Sequence, residues 1–257
     1  MLRGMRRILL LAGVLTAVGA LASCGVELDA KERHDVRDFP FDGRGQALSI
    51  KSGVRVNVVP ATGSSLRVER WVRGKAAGEG MATWSLRGDT LTLGADCNMV
   101  FGDCGARYVV RVPGTPKVSV DVSDDDVRVT GLAGELNVTT HSGNVHVEAA
   151  TGTVRMNSAD GDLTMVGARS GIVRARTGSG DIDLSFATPP AEVRALSNDG
   201  RVVTTVPEVD GSYRVKATSR HGTQRSEVRD APRSERTLVL RSVSEDVRIR
   251  KGPPTKS

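Results

Sequence analysis

The chain has 257 residues, of which 39% are hydrophobic and only 3% aromatic, and its formal charge is +6 from 36 basic and 30 acidic residues. So few aromatics argue against a large globular core. So mild a charge argues against a nucleic-acid partner.

Residues 1–23 open with Arg3, Arg6 and Arg7, continue through an apolar run from Ile8 to Ala22, and lead into Leu21-Ala22-Ser23-Cys24. A basic start, an apolar run shorter than the ~20 residues of a membrane span and a small-residue end make a secretory signal. Leu-Ala-Ser-Cys is similar to the lipobox of bacterial lipoproteins. That likeness implies a diacylglyceryl group on Cys24 and a chain held at the extracytoplasmic side of the cell membrane; an ordinary cleavage site before a chance cysteine is the alternative. Each buried CH₂ contributes about 0.8 kcal/mol, so two acyl chains anchor stably. Without residues 1–23 the charge becomes +3. Residues 24–47 are polar and charged apart from a few side chains such as Phe39 and Phe41, which predicts a tether.

Residues 48–112 contain strand-like stretches without a clean repeat. They predict antiparallel strands that cover the first coil of a repeat region downstream, because an open sheet edge recruits other chains. Arg87-Gly88-Asp89 matches an integrin-binding tripeptide but also makes a good hairpin turn, and the turn is the reading adopted. With Cys24 reserved for lipid, Cys97 and Cys104 are the remaining thiols. In an oxidising compartment they are expected to form a disulfide. Two thiols with no nearby histidine do not make a metal site.

The chain is organised around a repeat in residues 118–205. Its clearest units are ELNVTTHSGNVHV from Glu135, TVRMNSADGDLTM from Thr153, IVRARTGSGDIDL from Ile172 and EVRALSNDGRVV from Glu192. Gly143, Gly161, Gly180 and Gly200 fall 18, 19 and 20 residues apart, each followed two positions later by Val145, Leu163, Ile182 or Val202. Period-2 alternation marks two short strands per unit. Strands at this spacing also fit a β-sandwich or barrel. The corners, however, alternate between Ser/Asp-Gly and a second type at Gly134, Gly152, Gly171 and Pro189-Pro190, so the period is two strands of 18–20 residues in all. That favours a single-domain β-solenoid over residues 48–250. Gly at a corner permits positive φ, and Ser or Asp beside it can bond the backbone. Weaker copies stand at Val118–Val127, at Val215–Gly222 and at Leu238–Ile249. The charged Arg248–Lys251 would then guard the last edge, before a disordered tail at 251–257.

His34, His141, His146 and His221 lack the spacing of a metal or acyl-transfer motif. Asp124, Asp125, Asp126, Asp160, Asp162, Asp181, Asp183 and Asp199 could line one edge; turn formation explains them better than calcium. With Val154 and Met156 inward, Arg155, Arg174, Arg194 and Lys216 face outward on four successive coils. The bland reading is a solvated face; the sharper one is a column that docks a linear polyanion of the cell wall.

Thr177-Gly-Ser-Gly-Asp-Ile-Asp-Leu184, with copies at His141–Val147 and Ala159–Met165, resembles the repeat TGSGDV-x-V of the putative-adhesin domain of bacterial surface proteins. The likeness spans about residues 45–250. It implies a β-solenoid at the cell surface and carries over no catalytic residue and no cofactor. The functional expectation is thus a monomeric, lipid-anchored, non-catalytic protein acting in adhesion or wall-polymer binding. An envelope-stress accessory that binds a membrane sensor protein is the alternative, and a carbohydrate-active enzyme the third.

Overall fold

A computed structural model describes residues 32–97, 102–209 and 213–252. The signal segment, Cys24, part of the expected tether and residues 253–257 of the expected tail lie outside the described residues.

The N-terminal part contributes β1 (Arg33–Phe39), β2 (Ala47–Ser52), β3 (Arg55–Pro60), β4 (Leu66–Gly74), β5 (Ala82–Arg87), β6 (Thr90–Ala95) and β7 (Cys104–Val112). The repeat contributes β8 (Lys117–Val122), β9 (Val127–Thr130), β10 (Leu136–Thr140), β11 (Val145–Glu148), β12 (Val154–Ser158), β13 (Leu163–Ala168), β14 (Ile172–Thr177), β15 (Ile182–Phe186), β16 (Glu192–Ser197) and β17 (Val202–Pro207). The C-terminal part adds β18 (Arg214–Ser219), β19 (Gln224–Ser226), β20 (Thr237–Ser242) and β21 (Val247–Gly252).

From β8 to β17, each rung gives one strand to each of two facing sheets, and successive rungs pair in parallel and in register. Val145, Leu163, Ile182 and Val202 form one file. All four are at most 1% exposed. The opposite sheet carries a matching inward file of Val138, Met156, Ala175 and Ala195, also buried. The architecture is a β-solenoid and not a closed barrel. Its core is a thin aliphatic seam between two sheets of 11 and 10 strands, which is why so few aromatics suffice.

The corners explain the sequence pattern. Of the four phased glycines only Gly180 has a positive φ, 153°, so conformational freedom is not the general reason for them. A Cβ on Gly143, Gly161 or Gly200 would run into the backbone carbonyl of the rung below, at Asp125, Gly143 and Gly180 respectively. Three residues before each of these glycines, and at Ser242 before Glu245 in the equivalent corner, a buried hydroxyl closes the turn. Thr140 donates to Gly143 O at 2.7 Å, while Thr177, Ser197 and Ser242 donate to the carbonyls of Gly161, Gly180 and Gly200 in neighbouring rungs at 2.9, 2.9 and 2.8 Å. Each such bond is worth about 1 kcal/mol net. On the outer edge of the same corner, Asp126, Asn144, Asp162 and Asp181 each accept the backbone N–H of the next rung's equivalent residue at 2.8–3.2 Å. At Asp126, Asp162 and Asp181 the carboxylate thus ties one turn to the next.

Four expectations need correction. Residues 33–39 are not a tether: β1 pairs antiparallel with β4 along its whole length, Arg33 opposite Val72 and Phe39 opposite Leu66, and Phe39 and Phe41 are each 6% exposed. Secondly, the N-terminal half is not merely an antiparallel cover. β2 and β3 form a parallel rung on β8 and β9, and β6 and β7 form another parallel rung outside it; only β1, β4 and β5 run antiparallel. Arg87-Gly88-Asp89 is the β5–β6 hairpin turn, with Arg87 opposite Thr90. Thirdly, the C-terminal rungs stack out of chain order, since β20 and β21 insert between β16–β17 and β18–β19. Fourthly, Arg248–Lys251 is therefore not on the last strand: β17 pairs along its whole length and β19 covers Val247–Ile249 on the other side; the free edges at this end are β18 and β19.

The β1 end is closed by side chains that bridge the sheets. Tyr108 is 1% exposed, and its hydroxyl lies 2.9 Å from the carbonyls of both Thr83 and Gly94. Arg70 donates to Asp35 at 2.9 Å and to Ala82 O at 2.7 Å, with its guanidinium 4.3 Å from the Trp84 ring centroid. The Cys97–Cys104 disulfide, with Cα atoms 5.5 Å apart, closes the corner between β6 and β7.

Two substitutions test this packing. Gly200→Ala forces the rungs apart at the Gly180 carbonyl and should destabilise by about 1–3 kcal/mol. Thr204 sits in the aliphatic file with its hydroxyl buried and unpartnered, so Thr204→Val should stabilise by about 1 kcal/mol. Urea denaturation of the two variants against the parent reads both effects; a neutral Gly200→Ala would contradict the close approach.

Candidate functional site

The outer face of the smaller sheet, over β12, β14, β16, β20 and β18, is predominantly basic. Because strands pair in register, outward residues fall into straight files. One holds Arg155, Arg174 and Arg194 as direct neighbours. It continues not to Lys216 but to Val239, and Lys216 stands one strand further out. Sequence order suggests four successive cations; the inserted β20 breaks the column and sets Lys216 two rungs, roughly 10 Å, from Arg194.

The column is also not bare. Glu135 pairs with Arg155 at 3.1 Å and with Lys117 at 3.2 Å. Glu192 pairs with Arg174 at 3.1 Å and with Arg194 at 2.8 Å. Hydrogen bonds from Arg194 and then Arg174 outweigh partial burial and hold the Glu192 carboxyl below its ordinary range, so it stays ionised wherever carboxylates normally are. These carboxylates remove the neighbour repulsion that an isolated arginine column would carry, on the order of 1 kcal/mol per pair in water.

Beyond the four residues anticipated, the face includes Arg176, Arg241 and Arg214. Arg176 and Arg241 flank Leu196 in a parallel file, and Arg214 lies two residues before Lys216 on β18. Arg176 could have been found from the period-2 alternation after Arg174. Arg214 and Arg241 could not, because their placement depends on the stacking order. On the opposite sheet β11, β13, β15 and β17 contain no lysine or arginine, whereas β21 and β19 at the far end carry Arg248, Arg250, Lys251 and Arg225.

The remaining candidates fall elsewhere. Cys24 lies outside the described residues. Cys97 and Cys104 are joined to each other. His34, expected in a tether, stacks on Trp71 with ring centroids 4.4 Å apart, and Arg107 lies 4.4 Å from the same ring centroid. His34 and Arg107 are the cross-strand neighbours of Trp71 on either side, so the cluster is a packing stack. Burial, then the positive charge of Arg128, pushes the His146 imidazole down from its ordinary value. Among the described residues no three His, Cys, Asp or Glu side chains gather as a metal-holding group.

No curated protein matches the chain. Three solved structures are similar to it at low identity. A putative cell adhesion protein from Clostridium sporogenes shares 10% identity at a TM-score of 0.43, over 86% of this chain and 100% of that one. A putative adhesin from Bacteroides fragilis shares 16% at 0.45, over 86% and 97%. Another from Parabacteroides merdae shares 9% at 0.33, over 87% and 97%. Similarity at this level carries no information on activity. The family described as Toastrack DUF4097 matches residues 87–250; that is more than half of the chain, and the chain belongs to this family.

Proposed function

We propose that the protein is a non-catalytic surface protein, lipid-anchored through Cys24 on the extracytoplasmic side, that holds an anionic cell-wall polymer against the outer face of β12, β14, β16, β20 and β18. The observation that carries the reading is the face itself. Arg155, Arg174, Arg176, Arg194, Arg214, Lys216 and Arg241 occupy its outward positions, with Glu192 as the single acid within those strands. Rungs rise by about 4.8 Å, so cations recur at a spacing comparable to the charges of a linear polyanion. Such a face raises the local concentration of an anionic polymer, and its attraction weakens with salt. Several similar structures carry adhesin in their names; the reading itself rests on the chemistry of the face.

The anchor geometry supports the same reading. Only residues 25–32 separate Cys24 from β1, a reach of at most about 28 Å when fully extended. A short link would keep the β1 end near the membrane and present the rungs outward to the wall. Two acyl chains on Cys24 would make that attachment stable.

Retention on isolated cell walls tests the proposal. Arg155→Glu, Arg174→Glu and Arg194→Glu together should release most of the protein at about 0.1 M salt, whereas Glu192→Gln, which frees Arg174 and Arg194, should raise retention. Retention that ignores both charge changes and salt would sink the polyanion reading.

A further inference from the structure

We infer that the polymer is gripped at one subsite, a groove on β16, β20 and β18 at the far end of the solenoid, and that the group held there is a phosphodiester joined to an aliphatic segment. The inference rests on the polyanion reading above and narrows it to one place and one chemistry.

Two hollows of about 520 and 470 Å³ adjoin on this face and share Lys216 and Val239 among their lining residues. Val239, Leu196 and Ile172 supply the apolar lining; Arg194, Arg214, Lys216, Arg220 and Arg241 supply the positive charge, with Glu192 and Glu235 as acids of the first hollow and none in the second. The inserted strand creates the groove. β20 places Val239 between Arg194 and Lys216, so a short uncharged gap lies between cations about 10 Å apart.

The charges here differ in kind from those of the central column. Arg155, Arg174 and Arg194 are already engaged by Glu135 and Glu192. An incoming anion must displace those carboxylates, which cancels much of the gain. Arg214, Lys216, Arg220 and Arg241 are exposed and form no ion pair among the described residues. A ligand meets them without displacing a paired carboxylate; Glu192 and Glu235 offset part of the charge in the first hollow, while the second holds cations only.

The lining selects the ligand's chemistry. Guanidinium forks match phosphate oxygens in bidentate fashion, and a lysine adds a point charge beside them. A phosphodiester offers two non-bridging oxygens and keeps its charge, and the carbon segment attached to it covers Val239 and Leu196. A polyuronate fits less well: neither hollow contains an aromatic side chain, so a sugar ring finds no platform to stack on.

The test is titration of the full-length protein with synthetic oligo(glycerol phosphate) and with poly-L-glutamate of equal charge, at about 0.1 M salt. The parent should bind the phosphodiester polymer more tightly. Lys216→Gln with Arg241→Gln should weaken that binding about tenfold or more, the loss of two charge-assisted contacts. Arg155→Gln with Arg174→Gln should weaken it less than about threefold. Arg214→Gln with Arg220→Gln provides an independent pair at the same groove, and thermal melting checks that each variant folds. Equal losses from the central and distal pairs would overturn the subsite and leave the basic face standing. Equal or tighter binding of polyglutamate would overturn the phosphodiester assignment. Failure of the parent to bind either polymer would overturn the face reading and this inference with it.

Discussion

The structure depends on how closely one corner can lie on the next. At Gly143, Gly161 and Gly200 the backbone of one rung rests against a carbonyl of its neighbour with no room for a side chain. That contact lets parallel strands keep a common register, which lines up Val145, Leu163, Ile182 and Val202 behind the corner. Hydroxyls tie the corner from the inside and carboxylates from the outside. A seam two side chains thick then stays dry without aromatic bulk, because each rung buries the flank of the next.

A stacked coil has two open ends, and here both are handled by displacing chain order. The first full rung, β2 and β3, is enclosed between β6–β7 and β8–β9. The last, β20 and β21, is enclosed between β16–β17 and β18–β19. The last strands of the chain are thus internal and do not fray as terminal segments otherwise do, whereas β1 at the other end is an edge strand held by β4. The corner bonds obey spatial order and not chain order: Ser242 donates to Gly200 O, and Ser219 to Glu245 O at 2.7 Å. Such pairings join residues far apart in sequence, which slows folding. The same insertion interrupts the cation file with Val239, so a device that closes an end also shapes the surface.

What a sequence reveals of such a fold depends on where the signals lie. Corner glycines and two-residue alternation reveal rungs one at a time, which is why the file from Val145 to Val202, the outward arginines at 155, 174 and 194 and the disulfide partners are legible from residues alone. Stacking order is not a local property. Nothing near Thr237 states that β20 slots between β16 and β18, and Glu245 occupies the corner position that a glycine marks in the clearest repeats, hiding the equivalence. The strand at Arg33–Phe39 is invisible for another reason: most of its residues are solvent-facing on the edge of a sheet, so its sequence has no apolar alternation to detect. In β6 and β7 the corner is the disulfide loop, which bears no resemblance to the Ser/Thr-x-x-Gly corners elsewhere.

The inserted rung is the point on which both the fold and the basic groove turn, and paired cysteines test it directly. Arg194 and Val239 are register partners, within the roughly 4.4–6.8 Å Cα separation a disulfide requires, whereas Arg194 and Lys216 are two rungs apart. Oxidation of a variant carrying Arg194→Cys and Val239→Cys should give a linked peptide pair by mass spectrometry, and one carrying Arg194→Cys and Lys216→Cys should not. Ready linkage of positions 194 and 216 with none between 194 and 239 would mean that the rungs stack in chain order, contrary to the insertion described.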